Sequence, residues 1–422
     1  MRVLYTALFR LLTPLVVVHQ LWRSWHEPGY RGRVHERWGY GAVVRSPCLW
    51  VHAVSVGEVQ AAVPLVRALL QDWPTWQVLV TTTTSTGAAR VNELFGAAVE
   101  HRYLPLDLPG AARRFLKRAQ PRLCVVMETE LWPNLLSGCA ARSIPVLIAS
   151  ARLSVRSMRA YRRLRGVFRE VLGGGAVRVL AQTTADAARY LELGVPASQV
   201  SLMGNLKFDL AVPADVRAGG RACRDLWGHS RPVWVAGSTH EGEEQVLLAA
   251  HQRLLRHQPE ALLVLVPRHP ARFAAAAAHV ERSGLSSVRR SRGGTVLPTT
   301  AVLLADTLGE LLTLYAAADV AFVGGSLVPV GGHNLLEPAA LGLPVLSGRA
   351  VFNAPEIAAA LAAAGALTLV DTADELAGAL AGLFTQTERR VAQGVQAAAV
   401  VAANRGALTR LLEAMRPVLT SD

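Results

Sequence analysis

Apolar runs of four to seven residues alternate with longer amphipathic stretches from residue 48 onward. Short apolar runs are typical of strands buried in a parallel sheet, and stretches with a 3.6-residue period are typical of helices that cover it. Helical stretches such as 58–70 and 110–119 separate the runs. The first half of the chain therefore predicts an α/β unit with a parallel sheet. The strand-like runs of this half are 48–54, 77–82, 122–127, 145–149, 177–181 and 200–204.

The alternation stops at 209–231, which is polar and rich in glycine and proline, and then starts again. This interruption predicts a linker with a short helix. Helices are predicted over 241–257, 270–283 and 308–317, and over 373–419, which could cross back to the first unit. Two successive units predict an α/β fold with two Rossmann-like domains facing a central cleft. The strands predicted for the second unit are 233–237, 262–266, 301–305, 320–323 and 343–346.

The predicted domain organisation has four parts. An N-terminal membrane-associated segment covers 1–40, and a first Rossmann-like domain covers 41–208. The linker is 209–231, and the second Rossmann-like domain with the C-terminal helices is 232–422.

The N-terminal stretch Leu4–Trp22 is mostly apolar and is 19 residues long, close to the length that spans a bilayer. Its polar residues Thr6, Arg10, Thr13 and Gln20 recur at helical spacing and share one face. This pattern favours an amphipathic helix lying at a membrane surface over a spanning helix. A first helix buried against the protein is the alternative.

The charge balance indicates anionic partners. The chain has 44 Lys and Arg against 31 Asp and Glu, a net charge of +13, with seven arginines between 152 and 169. Nucleic acid, anionic lipid and phosphorylated substrates all fit such a balance. Aromatic residues are only 6% and do not interleave with this basic run, which argues against nucleic acid. The four cysteines have neither metal-site nor disulfide spacing, so a reducing compartment fits best.

The segment Val323–Leu346 carries the most specific chemical signal. It joins two apolar runs through two glycine pairs, Gly324-Gly325 and Gly331-Gly332, and a helix start around Asn334–Glu337. Glycines let backbone N–H groups approach an anion, and a helix N-terminus adds partial positive charge. The segment therefore predicts a nucleotide site at the carboxyl ends of parallel strands.

Four turns share the pattern of a capping residue followed three positions later by glutamate. This pattern is typical of the capping box, in which the glutamate returns to the backbone at the helix start. All four also follow apolar runs, where side chains can line an active cleft, so both interpretations stay open. The turns are Ser55–Glu58, Ser238–Glu241, Thr307–Glu310 and Asn334–Glu337.

Other polar residues follow predicted strands directly. Glu128 and Glu130 follow the apolar run 122–127, where two carboxylates are costly unless they are paired or used. Lys207 closes the first unit and could neutralise a phosphate. Arg268 and His269 end a strand of the second unit, where the arginine could bind a phosphate or a carboxylate.

Several familiar motifs do not occur in the sequence. There is no G-x-G-x-x-G, no G-x-x-x-x-G-K-[ST] and no D-x-D. Hydride transfer, P-loop hydrolysis and a metal-held diphosphate donor therefore lack support. We expect no metal and no cofactor.

Taken in order, the motifs resemble those of the 3-deoxy-D-manno-octulosonic acid (Kdo) transferases of lipopolysaccharide synthesis. The resemblance runs nearly end to end. The motifs that carry it include RVHERWG (33–39), SVGE (55–58), YLPLDLP (103–109), METELWPN (127–134), SARL (150–153), NLKFD (205–209), STHEGE (238–243), VPRHP (266–270) and the segment 323–346.

This resemblance implies a GT-B glycosyltransferase that moves Kdo from CMP-Kdo to the 6′-hydroxyl of a lipid A precursor, lipid IVA, with inversion. It implies an enzyme of the inner membrane whose active domains face the cytoplasm. It gives Glu58 the role of general base, and Glu128 and Lys207 the stabilisation of the transition state or leaving group. The CMP contacts that it implies are Arg268, His269, Leu308, Gly309, Glu310, Asn334, Leu335, Leu336 and Glu337. The alternatives are another GT-B enzyme using a UDP-sugar and a basic nucleic-acid-binding protein.

Overall fold

The structure, a computed structural model, describes residues 2–26, 28–30, 32–44 and 48–419. Contacts divide the chain into two compact units. Unit 1 combines the residues up to Asp209 with those from Arg405 onward, and unit 2 consists of Leu210–Asn404. Residues 1, 27 and 31 of the predicted segment 1–40, and 420–422 at the other end, lie outside the described residues.

Unit 1 contains a seven-stranded sheet whose paired strands are all parallel. Its strands are β1 (Cys48–His52), β2 (Gln77–Thr82), β3 (Glu100–Tyr103), β4 (Pro121–Met127), β5 (Val146–Ala151), β6 (Val177–Ala181) and β7 (Val200–Leu202). Their order in space is β3-β2-β1-β4-β5-β6-β7. The order reverses between β1 and β4, and ligands of open α/β sheets bind beside the carboxyl ends of strands at such a reversal.

The helices of unit 1 cover both faces of this sheet. Because alternate residues of a strand point to opposite faces, Trp50 packs into one core, and Leu49 and Val51 pack into the other. The helices are α1 (Arg2–His26), α2 (Val56–Asp72), α3 (Ser85–Phe95), α4 (Pro109–Ala119), α5 (Pro133–Ala140), α6 (Val155–Arg162), α7 (Arg165–Leu172), α8 (Thr184–Glu192) and, from the far end of the chain, α17 (Ala407–Leu419).

Unit 2 repeats the architecture with a second parallel sheet, in the order β10-β11-β9-β8-β12-β13-β14. Here the order reverses between β8 and β12. The strands are β8 (Val233–Thr239), β9 (Leu262–Pro267), β10 (Ser287–Arg289), β11 (Val302–Leu304), β12 (Val320–Val323), β13 (Val345–Ser347) and β14 (Leu367–Leu369). The helices are α9 (Ala214–Trp227), α10 (Glu243–Leu255), α11 (Phe273–Arg282), α12 (Leu311–Ala316), α13 (Leu336–Ala340), α14 (Pro355–Ala363), α15 (Ala373–Thr385) and α16 (Thr387–Ala403).

The structure differs from the predicted organisation at 209–231. This stretch was predicted to be a linker with a short helix; the helix is present as α9, but it takes up most of the stretch and belongs to unit 2. Gly220 lies so close to α12 that a Cβ there would meet Ala316 at 2.6 Å. The glycines on which the linker prediction rested instead permit close packing of α9 against α12.

The C-terminal boundary also differs, because the predicted second domain, 232–422, contains α17. This helix packs in unit 1 beside β4, where Leu411 and Met415 join the core. The Asp209 carboxylate accepts hydrogen bonds from the N–H groups of Gly406 and Leu408, each at 2.7 Å. The second domain therefore ends at Asn404.

Helix α1 carries an exposed apolar face. Leu4, Leu8, Leu11, Leu15 and Val18 recur at intervals of three and four residues, and all are exposed. Such exposure does not fit a buried first helix. Among the described residues, α1 is the one helix that is long and apolar enough to cross a membrane, over Arg2–His19.

On the side opposite its apolar face, α1 makes a polar contact with the rest of unit 1. The Thr6 hydroxyl donates a hydrogen bond of 2.9 Å to Oδ1 of Asn134, near the start of α5. Asn134 in turn donates through Nδ2 to the backbone carbonyl of Asp107 at 2.7 Å. Helix α1 is thus attached beside the segment that joins β4 to α5.

Candidate active site

Three glutamates and a lysine gather at the carboxyl edge of the unit 1 sheet. Glu58 lies in the first turn of α2, just after β1, whereas Glu128 and Glu130 follow β4. Lys207 lies in a short 3-10 turn after β7. Because β1 and β4 flank the reversal of strand order, the fold brings Glu58 and Glu128 together although 70 residues separate them in the sequence.

Glu58 combines a helix-capping contact with an unusual electrostatic environment. Its Oε2 accepts a hydrogen bond of 2.7 Å from the N–H of Val54, while the Ser55 side chain makes no capping bond. Burial raises the pKa of Glu58 to about 8, and the nearby charges of Glu128 and Glu130 act in the same direction. The Val54 N–H and Lys207 partly oppose this shift. Such a carboxyl can exchange a proton near neutral pH.

Glu128 and Lys207 form an ion pair beside Glu58. The distance from Lys207 Nζ to Glu128 Oε1 is 2.8 Å, and both side chains are partly exposed. Glu128 has φ of +56°, a left-handed conformation that is uncommon outside glycine and that often occurs at functional sites. Its N–H still bonds to the Ala149 carbonyl at 2.9 Å, so the backbone leaves the sheet at this residue.

Glu130 completes the acidic group. Burial raises its pKa to about 7, and the charge of Glu128 also raises it. The unit 1 site therefore contains two carboxyls with pKa values raised to neutral pH or above and one ion pair.

The corresponding edge of unit 2 is organised around the carboxylate of Glu243, which the capping-box pattern did not indicate. Glu243, the first residue of α10, is fully buried. Its Oε1 accepts hydrogen bonds of 2.9 Å from the N–H groups of Ser326 and Leu327. Its Oε2 accepts from the N–H groups of His240 at 2.9 Å and Gly325 at 2.7 Å. One side chain thus joins the segments that follow β8 and β12.

Three histidines lie at this edge of unit 2. The Nε2 atoms of His240 and His333 are 2.7 Å apart, and their rings are stacked with centroids 5.0 Å apart. The His269 ring meets His240 edge-on with centroids 5.4 Å apart. Burial lowers the pKa of His333 to about 4, and His240, Arg268 and His269 contribute to that shift.

The predicted donor residues differ in how accessible they are. Arg268, His269 and Leu308 are exposed, and a Cβ on Gly309 would meet nothing within 4 Å. Glu310 is already paired with Arg290, at 2.6 Å. Part of this predicted set is thus open to a ligand, and Glu310 is already engaged in a salt bridge.

The Asn334–Glu337 turn can offer a ligand its polar backbone atoms and the side chains of Asn334 and Glu337. Nδ2 of Asn334 donates to Oε1 of Glu337 at 3.1 Å, and Oδ1 of Asn334 accepts from the Leu336 N–H at 3.1 Å. Leu335 and Leu336 are buried, so only their backbone atoms can face a ligand. Helix α13 begins at Leu336, within the predicted start at Asn334–Glu337.

The capping-box pattern identified the wrong glutamate in the STHEGE turn. It indicated Glu241, which is exposed and pairs with Arg272 at 3.2 Å. Gly242 has φ of +88° and delays the helix start, so Glu243 takes the buried position. The signal that could have revealed this is the glycine within the motif.

No group of three or more His, Cys, Asp and Glu side chains in the described part of the chain is arranged to hold a metal ion. The expectation of a metal-independent reaction stays a prediction.

Comparisons with known proteins agree with this architecture. Residues 32–210 match the family model of 3-deoxy-D-manno-octulosonic-acid transferase (kdotransferase). The chain is 42% identical to the 3-deoxy-D-manno-octulosonic acid transferase of Haemophilus influenzae, with 99% of each protein covered. It is 43% identical to the enzyme of the same name from Bordetella pertussis, with 98% of each covered. The chain belongs to the Kdo transferase family.

Membership in this family confirms the predicted enzyme class, a glycosyltransferase of lipopolysaccharide synthesis that transfers Kdo. It favours that prediction over a UDP-sugar enzyme and over a nucleic-acid-binding protein. Among solved structures, the chain is similar to UDP-GlcNAc 2-epimerase from Neisseria meningitidis, with a TM-score of 0.57 and 15% identity. That likeness covers 89% of this chain and 100% of the epimerase, and it shows the fold alone. The predicted GT-B fold of this Kdo transferase is confirmed.

Proposed function

We propose that this Kdo transferase moves Kdo from CMP-Kdo to the 6′-hydroxyl of lipid IVA, a lipid A precursor, with inversion and with Glu58 as general base. The observation that carries the proposal is the environment of Glu58. It is a largely buried carboxyl at the strand reversal of unit 1, with a pKa of about 8, beside the Glu128–Lys207 ion pair.

In the proposed reaction, ionised Glu58 takes the proton from the acceptor hydroxyl as that oxygen attacks the anomeric carbon of Kdo. The bond from this carbon to the phosphate oxygen breaks, and its electron pair leaves with CMP. Attack opposite the leaving group inverts the anomeric configuration. General-base assistance of this kind contributes about 10²–10⁴-fold in rate.

Lys207 supplies positive charge near the reacting groups. Its ammonium stabilises negative charge that develops on the leaving phosphate, an effect that is strong where water is excluded. Glu128 holds the ammonium in place through the 2.8 Å ion pair. Replacing either residue should therefore reduce the rate of transfer more than the affinity for substrates.

The donor is proposed to bind unit 2 through the predicted CMP contacts. The exposed guanidinium of Arg268 suits a phosphate, and the open backbone at Gly309 lets a ligand approach closely. The Asn334–Glu337 turn offers carboxylate and amide groups that can bond to ribose hydroxyls. A monophosphate donor carries less charge than a diphosphate, so we propose that no metal is required.

The acceptor is proposed to reach the enzyme at the cytoplasmic side of the inner membrane. Helix α1 offers an exposed apolar face to lipid, and it packs beside α5 and α7. Arg156, Arg159 and Arg163 on and after α6 are exposed and suit the phosphates of an anionic glycolipid. These features support a membrane surface and an anionic lipid as partners.

The test is transfer by the E58Q variant, assayed with CMP-Kdo and lipid IVA by product mass. We expect its kcat to fall about 10²–10⁴-fold, while CMP binding by calorimetry stays within twofold. The exposed Glu93 on α3 provides a control, E93Q, which should retain full activity. Retained turnover in E58Q would contradict the role of Glu58, and retention of anomeric configuration in the product would contradict the mechanism.

A further inference from the structure

Backbone hydrogen bonds and a neighbouring glycine hold the histidine pair of unit 2, His240 and His333, in place. The His240 N–H is fixed by Glu243, and the His333 N–H bonds to the Gly324 carbonyl at 3.2 Å. A Cβ on Gly325 would lie 2.9 Å from the His333 ring. Gly325 therefore has to be glycine for the imidazole to lie against the backbone and to reach His240.

The pair has unused hydrogen-bonding capacity. One Nε2 must donate to the other, so the two rings share a single proton between these atoms. Among the described residues, neither Nδ1 has a hydrogen-bond partner. When both rings are neutral, the ring that accepts at Nε2 carries its own proton on Nδ1, so one of the two Nδ1 atoms can donate a hydrogen bond to a ligand.

The carboxylates of Glu241, Glu243 and Glu244, which lie in the same segment as His240, already have partners. Two buried carboxylates lie in the first turn of α10: Glu243 already accepts four backbone N–H bonds, and Glu244 is paired with Arg272. Arg272 is occupied by Glu241 and Glu244. Arg268 has no salt-bridge partner among the described residues and is exposed. Burial lowers the pKa of His240, and Arg268, Arg272 and His269 act in the same direction, while Glu243 opposes them.

We propose that His240 and His333, beside Arg268, form an oxyanion-binding subsite that receives an anionic group of the donor. The group is either the phosphate of CMP or the carboxylate of the sugar, since both offer charged oxygens to imidazole and guanidinium donors. Glu243 is the positioning residue of this subsite. The inference rests on the proposed function, because it takes the donor to be CMP-Kdo.

The position of the subsite agrees with the fold. His240 follows β8, and the glycine segment that carries His333 follows β12, so the pair lies across the strand reversal of unit 2. Ligands of open α/β sheets bind at this kind of position. The glycine pair at 324–325 thus leaves room for the His333 imidazole and also lets a ligand approach the backbone closely.

The experiment compares the binding of cytidine, CMP and free Kdo to the full-length wild type and to H240Q and H333Q. The control is H257Q, an exposed histidine at the end of α10. Loss of a hydrogen bond to a charged group predicts about 10- to 100-fold weaker binding of the anion. Cytidine binding should stay within twofold in every variant, and H257Q should behave like the wild type.

The ligands distinguish the two anionic groups. Weaker CMP binding in H240Q and H333Q would place the phosphate in the subsite. Unchanged CMP binding with weaker binding of free Kdo and a raised KM for CMP-Kdo would place the sugar carboxylate there. Wild-type affinity of both variants for CMP and Kdo, together with a wild-type KM for CMP-Kdo, would overturn the proposal.

A second measurement uses the wild type alone. Histidine-selective ¹⁵N spectra of the wild type should show imidazole shifts for His240 and His333 when CMP-Kdo saturates the enzyme. Unchanged imidazole signals at saturation would also overturn the subsite. A wild type that neither binds CMP nor transfers Kdo would instead refute the proposed function, so the two failures are distinguishable.

Discussion

Glu58 and Glu243 occupy equivalent places in the two units but have opposite surroundings. Each follows the first strand of its sheet, lies in the first turn of the next helix and flanks the reversal of strand order. Glu58 accepts one backbone N–H and lies near two other carboxyls. Glu243 accepts four backbone N–H groups. The first arrangement favours proton exchange, whereas in the second a side chain with four backbone partners organises two loops.

The comparison shows that the partners of a buried carboxylate decide its role, because the local sequence patterns are similar. A carboxylate with several N–H donors is stabilised in its charged form, and one with few donors is destabilised in that form by burial.

The largest expected effect is on stability. In E243Q, an amide faces four N–H donors that had bonded to a carboxylate, so the free energy of unfolding should fall by about 2–4 kcal/mol. E58Q should lose none of its stability at pH 7, because the wild-type carboxyl is already mostly protonated there. Denaturant unfolding measures both. Equal destabilisation by the two changes would abolish the distinction.

A smaller effect is expected from the glycine that accommodates His333. G325A adds a Cβ 2.9 Å from the ring at φ of +69°, so CMP-Kdo should bind about tenfold more weakly, comparable to loss of the histidine bond. The control is G293A, which has φ of +66° and no atom within 4 Å of its added Cβ. It bears the same backbone strain, so only G325A should weaken donor binding. Equal effects would attribute the loss to strain alone.

The pH dependence of activity should follow Glu58. With a pKa of about 8, roughly a tenth of Glu58 is ionised at pH 7 and about half at pH 8, so kcat/KM should rise about fivefold over this interval. A profile that is flat from pH 6.5 to 8.5 would exclude titration of the base in this range.

The same pKa predicts how stability changes with pH. The folded protein keeps a proton on Glu58 that the unfolded chain loses above its ordinary value of 4.5, so this residue makes stability decrease from about pH 4.5 to pH 8. E58Q should therefore gain stability relative to the wild type as pH rises. A gap between the two proteins that stays constant from pH 5 to pH 9 would contradict the raised pKa.

The smallest effects are shifts in the pH profile. Lys207 lowers the pKa of Glu58 and Glu128 raises it. K207M should therefore move the alkaline rise of residual activity to higher pH, and E128Q should move it to lower pH, each by about one unit or less. Shifts of the same sign in both variants would indicate a general disturbance of the site.

Much of the fold was predictable because its central strands are continuous apolar runs. Strands β1, β2 and β4 lie where the hydrophobic pattern indicated them. The pattern missed β3, which reads Glu-His-Arg-Tyr, because its polar residues find partners inside the unit, such as the Arg102–Glu100 pair. The pattern also missed edge strand β10, because this strand is short and only partly buried.

The candidate site was predictable where a residue lies in the turn or the helix start that comes after a strand. Glu58, Glu128 and Lys207 meet this condition, and the structure brings them together. Glu243 was missed because its role depends on the N–H groups of residues more than 80 positions away. The pairing of His240 with His333 is likewise set by strand order, which the spacing of motifs does not reveal.

The placement of α17 has a consequence for synthesis of the chain. Leu411, Met415 and Leu419 fill part of the core of unit 1, but the ribosome makes them only after all of 210–404. At about 5–20 residues per second, this interval lasts roughly 10–40 s. During that time the growing first domain leaves apolar surface beside β4 uncovered. Nascent unit 1 should therefore depend on chaperones until its last helix emerges, whereas unit 2, contiguous in sequence, can fold as soon as it is complete.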